Sequence, residues 1–167
     1  TDASWPGTSG TELKTNNGHI MKLKYTPFPV RTLSVEEPDS PYHDEPDNFN
    51  NLEGQPVVLL PLHSLLAPLA FTFKNLFPHQ NLTYIMTEGG ALPLDLSHLV
   101  AELKQRNIID TTVTIGQSFG GDLEAVNIFT ALAAAQEVAA ADLIVVGMGP
   151  GITGTSTRLG FSGTENA

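Results

Sequence analysis

Gly116-Gln117-Ser118-Phe119-Gly120 fits G-x-S-x-G, the pattern that holds a serine nucleophile on a sharp strand-to-helix turn. A nucleophilic Ser118 would imply acyl transfer, with a histidine as base and an acid behind it. All five histidines, at positions 19, 43, 63, 79 and 98, precede Ser118, so the residue order of an α/β-hydrolase triad is not met. The competing reading is a tight turn through Gly116, Gly120 and Gly121, with Asp122 capping a following helix, and the unmet triad favours it. Glu88, beside Gly89-Gly90, is a carboxylate placed for general acid–base work, or else a surface acid. His63 follows a strand-like run and is a candidate base, with packing or helix capping as the plainer role.

A second pattern concerns anions. Residues 149–154, GPGITG, match G-x-G-x-x-G after an apolar run. A dinucleotide fingerprint also needs a helix opening in the motif and an acid about 20 residues on, and neither is present. A phosphate-binding loop of the G-x-x-x-x-G-K type is excluded, because no lysine follows Lys104. What remains is a glycine-rich backbone that can approach an anion closely, flanked by the hydroxyls of Thr153, Thr155, Ser156 and Thr157 and by Arg158. The alternative is a glycine loop packed against a partner segment. Residues Glu36 to Asp47, with His43, offer carboxylates to a hard divalent cation, but the prolines and irregular spacing of that segment favour a solvated acidic loop. No metal site is assigned, and no particular cofactor is indicated.

These residues must be positioned by recognisable elements. Two strand-like runs, Met21 to Thr26 and Val30 to Val35, precede the acidic loop. From Pro56 the pattern becomes β-α-β-α-β-α-β: PVVLL, a helix over HSLLAPLAFTFKNLF with a proline inside it, LTYIM, an amphipathic helix over LDLSHLVAELKQRN, TTVTI, a long alanine-rich helix from Asp122 to Ala140, and DLIVVGM. Strands this apolar on both faces belong in a parallel sheet covered by helices. The expected fold is α/β: a predominantly parallel open sheet of about four strands with flanking helices, Rossmann-like and three-layered, preceded by a short β-rich segment. The expected organisation is residues 1–55 as that β-rich segment with its acidic proline-rich loop, part of a larger upstream β domain, and residues 56–167 as the α/β domain, truncated at its C-terminus.

The bulk properties fit this picture. At 167 residues the chain suits one domain, and 41% hydrophobic with 16% charged residues is ordinary globular composition. The net charge of −10 repels phosphate backbones and anionic membranes, which argues against nucleic-acid or lipid partners. The absence of cysteine excludes disulfides, thiolate catalysis and thiolate metal sites. With no secretory signal and no long apolar run, a cytoplasmic protein is the simplest expectation.

The stretches GHIMKLKYTP, SVEEPDSPYHD, HSLLAPLA, TEGGALPLDLS, GQSFGGDLEAVN and GMGPGITGTSTRLGFSG together resemble the bacterial family known as domain of unknown function 3866. The resemblance runs from Gly18 to Gly163. It implies an α/β protein without an assigned activity, with members longer at both ends, and a position of Ser118 that tolerates alanine.

In an open parallel sheet, ligands bind outside the carboxyl ends of the strands. Glycine-rich segments follow the strands here, and the expected ligand-binding set is Gly89, Gly90, Gly120, Gly121, Gly149, Gly151, Thr153, Gly154, Thr155 and Arg158. The expected function is binding of a small anionic or phosphorylated molecule at that edge, with or without turnover. The alternatives are a non-catalytic assembly or regulatory module, which includes a homo-oligomer, and a serine hydrolase using Ser118.

Overall fold

The computed structural model describes residues 18–166, so the first seventeen residues, within the expected β-rich segment, lie outside the described part. Five parallel strands form one sheet in the order β3-β7-β4-β5-β6: β3 (Val57–Leu60), β4 (Leu82–Thr87), β5 (Thr111–Ile115), β6 (Leu123–Ala125) and β7 (Leu143–Met148). Two short strands, β1 (Ile20–Lys22) and β2 (Val30–Thr32), form a separate antiparallel pair. The α/β expectation holds, with one strand more than expected.

The central strands β4 and β7 pair over six registered positions from Leu82↔Leu143 to Thr87↔Met148, and β7 is buried along its whole length. Because alternate side chains point to opposite faces, each strand feeds two cores. Tyr84, Met86 and Val145 face a core shared with Leu66, Ala70, Val100 and Leu103, from α2 (Leu66–Leu76) and α3 (His98–Gln105), while the short helix α1 (Asp44–Asn48) lies in the acidic stretch before them. Ile85, Ile144 and Val146 face the other core, closed by Ala131, Ala134 and Ala135. Full burial of each such aliphatic side chain stabilises by roughly 1.5–3 kcal/mol. Alanine at these contacts lets the backbone sit close to the sheet.

Local signals explain the helix boundaries. Pro68 falls in the first turn of α2, where its missing N–H leaves no bond unmade, so the helix runs on unbroken. The Ser97 hydroxyl oxygen caps α3 by accepting from the Val100 N–H at 3.1 Å. Asn127 caps α4 (Ile128–Ala133) in a reciprocal box with Thr130, and the chain continues through one π turn to Val138.

The long helix expected from Asp122 is therefore corrected. Leu123–Ala125 forms β6, and the helix begins only at Ile128. Asp122 does not cap a helix either. Its carboxylate accepts from the Thr112 N–H and hydroxyl, both at 2.8 Å, and so ties the chain back onto β5.

β5 and β6 are parallel neighbours joined by residues 116–122 alone, shorter than the dozen or so residues a parallel crossover usually takes. The connection doubles back alongside β5. Phe119 accepts from the Leu94 N–H at 2.8 Å, and Gly121 packs so tightly that an added Cβ would lie 2.8 Å from the Leu123 carbonyl oxygen and 3.0 Å from the Thr114 nitrogen. Inside this crossover Lys22 is fully buried. Its ammonium donates to the Ser118 carbonyl and to Glu124, both at 2.5 Å, while Glu124 also accepts from the Gly120 N–H (2.6 Å) and the Thr114 hydroxyl (2.8 Å). Burial pushes the Glu124 carboxyl above its ordinary range, and the Lys22 ammonium with the Gly120 and Thr114 donors pulls it back.

The outer edge of β6 is covered by the segment after β2. The Val35 N–H donates to the Glu124 carbonyl at 2.8 Å, and Glu36 accepts from the Val126 N–H and the Thr130 hydroxyl. Part of the acidic stretch thus serves as a clasp on the sheet edge and the start of α4.

Candidate functional site

The carboxyl ends of β3, β4 and β7 bring together side chains far apart in sequence. His63, in the single 3₁₀ turn between β3 and α2, is half-buried. Its Nε2 lies 2.8 Å from the Ser97 hydroxyl oxygen and its Nδ1 lies 3.3 Å from the Tyr84 hydroxyl. Tyr84 is fully buried, and its hydroxyl donates to the carbonyls of Gly147 (3.2 Å) and Met148 (3.0 Å). With the Tyr84 proton committed to those carbonyls, Nδ1 of His63 carries a hydrogen and Nε2 accepts from Ser97. Desolvation holds the His63 pKa below its ordinary value, partly offset by the Met148 carbonyl, so the ring is neutral at pH 7. Burial likewise raises the Tyr84 phenol, which stays protonated.

The glycine turns after the two central strands abut. Glu88, Gly89 and Gly90 form a 3₁₀ turn that ends at Ala91 with φ +46°. A Cβ on Gly90 would come within 3.3 Å of the Pro150 carbonyl oxygen, and one on Gly149 within 2.8 Å of the Met86 sulfur. Gly116, at φ +58°, has no room for a side chain because the Glu88 carboxylate occupies that space. Glu88 is exposed and accepts from the Gln117 N–H at 3.2 Å.

The remaining expected residues are placed otherwise. Gly120 and Gly121 run back along β5, and Gly120 lines a cleft of about 190 Å³ with Leu94, Lys104 and Asp122 beside α3. Thr153, Gly154 and Thr155 begin a small antiparallel loop: Ser162 pairs with Thr153, Phe161 bridges Gly154, and the Thr155 N–H donates to Gly160. The Thr155 and Thr157 hydroxyls bond each other and close this loop, and Arg158 stands exposed near its tip. The loop then returns across the strand ends to β3, where Gly163 approaches the Pro61 carbonyl.

Ser118 is buried, and its hydroxyl donates to the Thr87 carbonyl at 3.0 Å. Neither ring nitrogen of His63 is directed to it. GQSFGG works here as a crossover that ties β4 to β5. Among the described residues, no group of three or more His, Asp or Glu side chains is gathered as a metal ion would need.

Ser97, Tyr84, Lys22 and Glu124 were missed by sequence reasoning. Ser97 carried a usable signal, a serine three residues before Val100 at the start of an amphipathic run, which marks a helix cap. Nothing local marks it as the partner of His63.

The family model for a protein of unknown function, DUF3866, matches residues 7–167. The chain belongs to this family. No curated protein and no solved structure matches it. The family carries no assigned activity, so the chemistry of this member rests on its own geometry.

Proposed function

We propose that the protein binds a small molecule at the carboxyl edge of its sheet, between the glycine turns that follow β4 and β7. The abutment of Gly90 on Pro150 carries this reading, since it brings the backbones of two neighbouring strand ends together into one surface beside the Leu92 side chain. The charge pattern divides that surface. Glu88 suits a hydroxyl or N–H group of the ligand, whereas an anionic or phosphorylated group belongs to the segment from Gly149 to Arg158, where Arg158 is the only cation. The net charge of −10 opposes nucleic acid as the ligand, and the same reading puts the protein in the cytoplasm. No helix among the described residues is long and apolar enough to cross a membrane.

Thermal-shift screening against inorganic phosphate, nucleotides and phosphorylated metabolites tests the reading. A ligand at about a hundred times its dissociation constant adds about 2.7 kcal/mol. Arg158→Ala should abolish the shift given by anionic ligands, and no shift with any of them would sink the proposal.

A second reading, assembly with a second copy, is supported by one observation. No charged residue occurs from Gly54 to Phe73, and Leu59, Leu62, Leu65 and Phe71 are exposed within that stretch. In a chain of such net charge, that uncharged stretch at the β3 edge of the sheet meets a second copy with little repulsion. Mass measurement in solution tests it.

A further inference from the structure

We propose that Ser97 is a catalytic nucleophile, activated by His63 as general base, for acyl transfer from a small ester. The proposal rests on the ligand-binding reading of the sheet edge only for where the rest of the substrate lies.

The arrangement has the nucleophile–base and base–orienter contacts of an activated serine, drawn from four separate places in the chain, around a buried Ser97. The Ser97 oxygen is 2.8 Å from His63 Nε2, within reach for proton transfer. A third group orients the base, because Nδ1 faces the Tyr84 hydroxyl, which is itself fixed by the Gly147 and Met148 carbonyls. Ser97 also stands at the N-terminus of the eight-residue helix α3, and the Val100 N–H points at its oxygen. A donor and a helix dipole aimed at that atom favour the alkoxide character it acquires on attack. The neutral state of His63 leaves Nε2 able to take the proton.

In the first step the Ser97 O–H bond breaks, its proton passes to His63 Nε2, and the oxygen bonds the ester carbonyl carbon, moving the π pair onto the carbonyl oxygen. That pair then returns, the C–O bond to the alcohol breaks, and the departing oxygen takes the proton from Nε2. Water repeats the sequence on the acyl-serine, with His63 again accepting and returning a proton, and releases a carboxylic acid.

A serine that only capped α3 would show the same burial, so reactivity is the observable that separates the two roles. A fluorophosphonate probe applied to the full chain, with the modified peptide mapped by mass spectrometry, should label Ser97. Ser97→Asp, which retains a capping oxygen, should remain folded by circular dichroism and lose the label. His63→Gln should slow labelling by about 100-fold or more. Ser118→Ala should label at the wild-type rate. The wild-type rate should fall in acid with a midpoint below 6.5, the ordinary histidine value. A wild-type protein unlabelled at Ser97, or a His63→Gln variant labelled at the wild-type rate, overturns the proposal. Neither outcome bears on phosphate binding, which the thermal-shift screen reads separately.

Discussion

Lys22 and Glu124, 102 positions apart, form an ion pair sealed inside the crossover that links β5 to β6. The pair joins the β1–β2 hairpin to the sheet at the crossover. Its desolvation is costly, so its removal is informative only when the partner is treated as well. Lys22→Met should destabilise the fold by about 3–5 kcal/mol, because it strands a buried carboxylate. Adding Glu124→Gln, which preserves an acceptor for the Gly120 N–H, should recover much of that loss. Urea denaturation of the two single variants and the double variant reads the coupling, and strictly additive losses would contradict it.

Ser118→Ala removes one hydrogen bond to the Thr87 carbonyl and nothing else. The expected cost is about 1 kcal/mol in chemical denaturation. A severe loss of stability would mean that the hydroxyl does more than hold β4 to the crossover.

Gly121→Ala should be worse. The added methyl meets backbone atoms of Leu123, Thr114 and Thr112, which cannot swing aside as a side chain could. A loss of about 2–3 kcal/mol is expected, in the upper range for point substitutions. A melting temperature equal to that of the wild type would show that the crossover relaxes more than its packing suggests.

The burial of His63 gives the fold a pH dependence whose sign follows from desolvation. Its folded pKa lies below the unfolded value of 6.5, so the unfolded chain binds more protons between the two values. Stability should therefore decline as pH falls through 6.5 toward the folded pKa, and level off below it. Thermal melts of wild type and His63→Gln at several pH values isolate this contribution, since the difference between them should vary only within that window. A difference independent of pH would refute the assignment.

Four strands were legible because each is a short apolar run bounded by turn residues, and burial on both faces requires that composition. β6 was not. Leu123-Glu124-Ala125 consists of good helix formers, and it is a strand only because β5 pairs with it on one side and Val35 donates to it on the other. Asp122 misled for a related reason: an aspartate before a helical pattern signals a cap, but Thr112 on the neighbouring strand claims its carboxylate. The glycine turns at Gly90 and Gly149 were visible as composition, and their abutment follows from β7 lying beside β4. His63 was visible, but its tie to Ser97 depends on α2 and α3 sharing a face. Lys22 was illegible, since one lysine in a three-residue strand reads as solvent-exposed.

The position of β7 has a consequence for synthesis. Among the described residues Leu143–Met148 is the last strand of the sheet to be made, yet it is the one that separates β3 from β4. Until it leaves the ribosome, the apolar flanks of both neighbours wait unpaired. At about 5–20 residues per second, the interval between Leu60 and Leu143 lasts on the order of ten seconds. A nascent chain in that interval is two unjoined pieces with open strand edges, an occasion for a holdase chaperone or for aggregation. Fragments ending before Leu143 share that state permanently, so premature termination upstream of β7 is expected to leave chains with open strand edges rather than a smaller folded domain.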